Sequence, residues 1–180
     1  KAKKELCAKG KNSLLAWSRT QVTTFLAKRS LKLAKRYADD IRTKPQAEAE
    51  TILWNTLKEP LQQNFLDINE RDEAKAKKEL CAKGKNSLLA WSQSKVATFL
   101  TKNSFKLAKR YATDLRSKPQ DKVEPLLWDT LSEPLKQNFL DIHQRDESKA
   151  KKELYTEIKD SLLAWSQSKV ATFLTKNSFK

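Results

Sequence analysis

The sequence predicts an all-α protein, and three observations carry that prediction. Only two glycines occur in 180 residues, too few for the turns of a β-sandwich or for glycine-rich phosphate loops. No segment alternates apolar and polar residues with period two over a strand's length. Apolar residues recur instead at helical spacing: Leu100, Leu107, Tyr111 and Leu115 fall seven and four apart, with Ala108 and Ala112 beside them, on one face of an amphipathic helix. Hydrophobic residues make up 38% and charged residues 33% of the chain, which suits thin helical units with modest cores.

The helices come in a repeated order. Residues 1–18 and 75–92 are identical, residues 161–180 repeat 87–106, and Trp17, Tyr37, Pro45 and Trp54 recur as Trp91, Tyr111, Pro119 and Trp128, a period of 74. A unit of that length holds several helices and a small core of its own. The period divides the chain into residues 1–74, 75–148 and a partial third copy, 149–180, joined by long basic helices.

Within a copy, "SQSKVATFLTKNSFKLAKRYATDLRSKP" reads as helix until Pro119 stops it. Asn103 and Ser104, which favour caps over helix interiors, are a place where this run could divide. A second helix starts near Asp121, an N-cap with Glu124 three residues later, and carries Leu126, Leu127, Trp128 and Leu131. Ser132 is the next N-cap, and Pro134 is tolerated because first-turn N–H groups lack helical partners. The rest, "PLKQNFLDIHQRDESKAKKELYTEIKDSLLAW", reads as one long helix with Leu135, Phe139 and Ile142 on its apolar face and a wholly polar middle. Trp128 is then the core residue of a short helix, and Phe139 packs back onto it across a tight corner. Trp54 and Phe65 repeat the pattern, and these four with Tyr111 form the expected core.

Charge narrows the partners. The formal net charge is +15 and the pI about 9.8, an excess that favours polyanionic partners, either nucleic acid or an acidic membrane surface. The cations cluster: Lys35 and Arg36, Lys75, Lys77 and Lys78, Lys109 and Arg110, and Lys149, Lys151 and Lys152. Flexible lysines neutralise phosphates without reading sequence; the plainer reading is a solvated helix face. Cys7 and Cys81 share the context "KELCAKGKNS", and Tyr155 replaces them in the third copy. A packing residue tolerates that exchange and a metal ligand or disulfide partner does not, so reduced thiols and an intracellular setting are expected. No apolar run reaches the roughly 18 residues of a membrane span. No signal peptide is visible, and the chain begins at Lys1, where a leader could have been removed.

The segment "LLWDTLSEPLKQNFLDIHQRDESKAKKELY" resembles the second half of a high-mobility-group (HMG) box, with its tryptophan, leucine, capped turn, lysine and aromatic at Trp128, Leu131, Ser132, Lys136 and Phe139. In the upstream copy these places fall to Trp54, Leu57, Lys58, Gln62 and Phe65. The tail "KAKKEL" is similar to the segment joining two boxes in fungal mitochondrial DNA-packaging members of the family. Helix one of such a box would be residues 104–118, with Phe105, Tyr111 and Arg116; the family's extended N-terminal strand is replaced by "SLLAWSQSKVATFLTKN". The resemblance implies three-helix units that bind the minor groove, wedge an apolar side chain between base steps and bend the duplex. It places the wedge at Leu31 and Phe105, with ordinary core as the other reading of Phe105, and the protein in the mitochondrion or the nucleus.

Catalysis is not expected. The only histidine, His143, corresponds to Asn69 in the first copy and reads as a surface residue of the third helix. The carboxylates interleave with lysine as helical i,i+4 pairs, and no His/Cys cluster with metal-ligand spacing exists. No cofactor and no small-molecule substrate are expected. The function expected is binding of duplex DNA without sequence preference, with bending or compaction. The alternative is a helical scaffold for protein–protein contact or self-association.

Overall fold

A computed structural model describes residues 2–177, and all regular structure within them is helical. In chain order the helices are α1 (Ala2–Arg36), α2 (Ala38–Thr43), α3 (Gln46–Asn55), α4 (Glu59–Ile68), α5 (Glu73–Arg110), α6 (Ala112–Ser117), α7 (Gln120–Trp128), α8 (Glu133–Ile142) and α9 (Glu147–Asn177). The last three residues of the partial copy, 178–180, lie outside the described residues. Two compact units emerge, Lys1–Ala90 and Trp91–Lys180. Their division falls within α5, which gives residues 73–90 to the first unit and 91–110 to the second.

Each unit is built around a corner. In the first, α3 ends at Asn55, Lys58 takes an extended conformation (φ −71°, ψ 148°), and α4 begins with Pro60 in its first turn. Trp54, 6% exposed, meets the fully buried Phe65 edge to face at 6.2 Å. In the second unit Trp128, 5% exposed, meets Phe139 at 6.0 Å. Edge-to-face contact sets the positive ring edge against a negative ring face, adding to the burial of both. Tyr111 is only partly buried and packs at the margin of the second core.

Buried positions recur at the offset of 74: Val22 and Val96, Ala34 and Ala108, Leu53 and Leu127, Leu57 and Leu131, Ala76 and Ala150, Leu80 and Leu154, Leu88 and Leu162. At three positions that differ, the second core carries more side chain. Ala49, Cys81 and Gly84 of the first unit are replaced in the second by Val123, Tyr155 and Ile158, and all six positions are buried. A Cβ at Gly84 would meet Leu53 Cδ1 at 3.5 Å, an ordinary contact, so the position has room.

A polar pair ties the long helix to the helix after the corner. Ser18, fully buried in α1, lies 3.2 Å from Asn64 Oδ1 and 2.9 Å from Asp67 Oδ2 of α4. Ser92 in α5 does the same with Asn138 and Asp141 of α8, at 3.2 and 2.7 Å. A hydroxyl has one proton to give, and the charged acceptor takes the stronger bond.

Four details differ from the sequence reading. The run after Pro134 is two helices, because Gln144 and Arg145 turn left-handed (φ 53° and 67°) between α8 and α9, as Glu70 and Arg71 do between α4 and α5. The Arg145 N–H donates to the Leu140 carbonyl at 2.7 Å, closing α8 in the manner of a Schellman turn with no glycine. Asp146 then caps α9, accepting from the Lys149 backbone N–H at 3.1 Å. That bond holds the Asp146 carboxyl below the usual carboxylate range, so its contribution is present above that range and lost as pH falls through the lowered pKa.

The other three are local. His143 is the α8 C-cap and not a surface residue within a helix; it is partly buried and paired with Glu153 of α9, as Asn69 is with Glu79 at 2.8 Å. α5 runs through Asn103 and Ser104, whose cap preference is spent locally when the Asn103 amide donates to the Phe99 carbonyl; the interruption comes at Tyr111. α7 starts at Gln120 after Pro119, with Asp121 inside its first turn, and Ser132 holds the N-cap place of α8 without a side-chain cap bond.

Two outcomes follow from this burial. Trp128→Ala should cost about 3–5 kcal/mol, the range for a large buried aromatic, read as a lower urea midpoint; an unchanged midpoint would remove Trp128 from the core. Cys81 is buried, and desolvation pushes its thiol pKa up, while Cys7 is exposed. A disulfide-exchange reagent at neutral pH should therefore titrate one thiol in the native chain and the second only on unfolding; two fast thiols in the native chain would contradict this.

Candidate nucleic-acid interface

The cations singled out in the sequence lie at helix ends. Lys35 and Arg36 close α1, and Lys109 and Arg110 close α5, where basic side chains offset the negative end of the helix dipole. Arg36 and Arg110 stand over the rings of Tyr37 and Tyr111, 5.7 and 5.5 Å from the centroids. The second group sits at helix starts, and much of it is neutralised. Lys77 pairs with Glu73 at 2.6 Å and Lys151 with Glu147 at 2.5 Å. Lys149 lies 3.2 Å from Asp146, and Lys75 is 3.9 Å from Glu70. Lys78 and Lys152 are exposed and have no carboxylate partner among the described residues.

The wedge candidates are partly open. Leu31 is 42% and Phe105 44% exposed. Phe105 is not free, however: it meets Trp165 edge to face at 6.5 Å, and Lys109 Nζ stands 4.3 Å from its centroid. Both positions lie within continuous long helices, α1 and α5.

A groove of about 560 Å³ in the first unit brings together residues that the sequence reading had kept apart. One wall is a stripe of α1: Trp17, Gln21, Phe25, Arg29, Lys32 and Arg36, each three or four residues after the last. The other is the corner and first turns of α4, with Lys58, Pro60, Leu61 and Asn64. The corner aims Lys58 there because the residue before α4 must be extended to turn the chain. Phe25 is fixed by an edge contact to Phe65 at 6.5 Å. Four cations and no carboxylate line this groove. A second depression, beside Arg19, Ile68 and Lys83, contains Glu79, which is already bonded to Asn69.

Of the cations named in the sequence, only Arg36 lines the groove; Lys35, Lys75, Lys77 and Lys78 do not. Arg29, Lys32, Lys58, Trp17 and Phe25 were missed. Their signal was present as an i, i+4 run in which aromatic residues give way to basic ones along one helix face. In the second copy Arg29 and Lys58 become Asn103 and Ser132, and Gln21 becomes Lys95.

Among the described residues no group of His, Cys, Asp and Glu could hold a metal ion, and no helix is long and apolar enough to cross a membrane. Comparison with protein-family models, with curated proteins and with solved structures finds no match to this chain.

Proposed function

We propose that the protein binds duplex DNA without sequence preference and bends or compacts it, as an architectural or packaging protein of the mitochondrion or nucleus. The observation that supports this reading is the groove of the first unit, whose lining includes Arg29, Lys32, Arg36 and Lys58 and no carboxylate. A net charge of +15 supplies the long-range attraction. The cations stand on helices and a corner held by the core, so the backbone behind them is already ordered. The resemblance to an HMG box supports the same reading. Each neutralised phosphate releases a counterion, which makes affinity fall with salt and gives no sequence discrimination.

The scaffold reading has one observation in its favour. Val170, Phe173 and Leu174 of α9 are exposed, whereas the same sequence in α5 places Val96 in the core with Phe99 and Leu100 packed against it. That face could join copies of the chain. A scaffold of this kind associates in a concentration-dependent way and binds DNA weakly and without steep salt dependence.

Gel shift of random duplex DNA across a salt series separates the two. Changing Arg29, Lys32 and Arg36 together to Gln should weaken binding to all sequences alike and flatten the log–log salt slope by about 0.9 per lost phosphate contact. Changing Lys149, Lys151 and Lys152 to Gln should do the same by less, since Lys149 and Lys151 already face Asp146 and Glu147. If both triple variants match the parent at every salt concentration, the cations are solvated faces and the scaffold reading stands.

A further inference from the structure

The groove offers more than charge. Trp17 is 53% exposed, while Trp54 and Trp128 are buried in the cores. Trp17 stands at one end of the α1 stripe and Arg36 near the other, nineteen residues on, or about 28 Å at 1.5 Å per residue. The aromatic end, Trp17 and Phe25, lies beside Asn64, and the cationic end, Arg29 to Arg36, lies beside Lys58 at the corner.

We propose that this groove holds an unpaired strand of DNA, with a base stacked on Trp17 and the following phosphates on Arg29, Lys32, Arg36 and Lys58. In a duplex each base face is covered by its neighbours, so an exposed indole finds a face to stack on only where a strand is unpaired. Proteins that hold single strands combine a positive track for the backbone with rings for the bases, and the α1 stripe places the two in sequence along one helix. No carboxylate lines the groove, so a polyanion meets no like charge along it. Apolar peptides would leave four cations unpaired against them, and an acidic peptide would leave the Trp17 face unused. The proposal rests on the DNA-binding reading above and adds that the first unit favours strand openings, ends or loops. The second unit, with Asn103 and Ser132 in place of Arg29 and Lys58, is less suited to the task.

The test uses the full chain, a labelled oligothymidine of about 15 nucleotides, within the range of known single-strand site sizes, and a duplex of the same length. Kd is read by anisotropy for the parent, Trp17→Leu and Trp17→Phe, with circular dichroism to check the fold. The ratio of oligothymidine to duplex affinity should shift about 10-fold toward duplex in Trp17→Leu, and Trp17→Phe should restore most of it. Indole fluorescence of the parent should be quenched by oligothymidine, and that quenching should be lost in Trp17→Leu. An unchanged ratio in Trp17→Leu overturns the stacking proposal while leaving duplex binding intact. Failure of the parent to bind either DNA overturns both readings. Trp17-dependent binding of oligouridine that is tighter than that of oligothymidine would overturn the assignment to DNA in favour of RNA.

Discussion

The burial of Phe65 under Trp54, and of Phe139 under Trp128, is the contact on which the rest of each unit depends. The chain has few large residues to bury and almost no glycine with which to turn. It makes its corner with an extended residue and a first-turn proline, and the two rings close that corner from inside. Once α4 is fixed, α1 can lie along it with Ser18 against Asn64 and Asp67, and Phe25 against Phe65. The groove is a consequence of that packing: its floor is the near side of the core, and Lys58 reaches its rim because the corner must be extended.

The distribution of counter-charge separates two kinds of cation. Lysines at the starts of α5 and α9 follow Asp72–Glu73 and Asp146–Glu147, which cap the helices and pair with Lys77 and Lys151. That arrangement suits helix initiation, since carboxylates belong at the positive end of a helix dipole. Toward the end of α1 the dipole favours cations instead, and no acid interrupts the run from Arg29 to Arg36. Most of the lysines at the helix starts are thus compensated, whereas Arg29, Lys32 and Arg36 toward the end of α1 line a groove that holds no carboxylate.

Much of the fold was legible from simple signals. Helix class, the tryptophan–phenylalanine corner and the exchange of Cys81 for Tyr155 follow from spacing and from comparing the copies with one another. The break between α8 and α9 was not, because "HQRD" holds neither glycine nor proline, and the left-handed pair is held by backbone bonds such as that from the Arg145 N–H to the Leu140 carbonyl, which composition does not announce. Most of the candidate site was also hidden. Lysine clusters are conspicuous in a sequence, yet several are paired with acids one turn away. The groove cations are spread over two elements and become neighbours only when α4 folds back along α1.

The indole region of a ¹H–¹⁵N spectrum, recorded with and without random duplex DNA, tests most directly whether the groove of the first unit is the interface. The chain has five tryptophans, so the signals can be assigned by single substitution. The Trp17 indole should move on addition of DNA, while those of Trp54 and Trp128, sealed in the two cores, stay in place. Movement of Trp54 or Trp128 with Trp17 unchanged would contradict both the site and the role given to the corner.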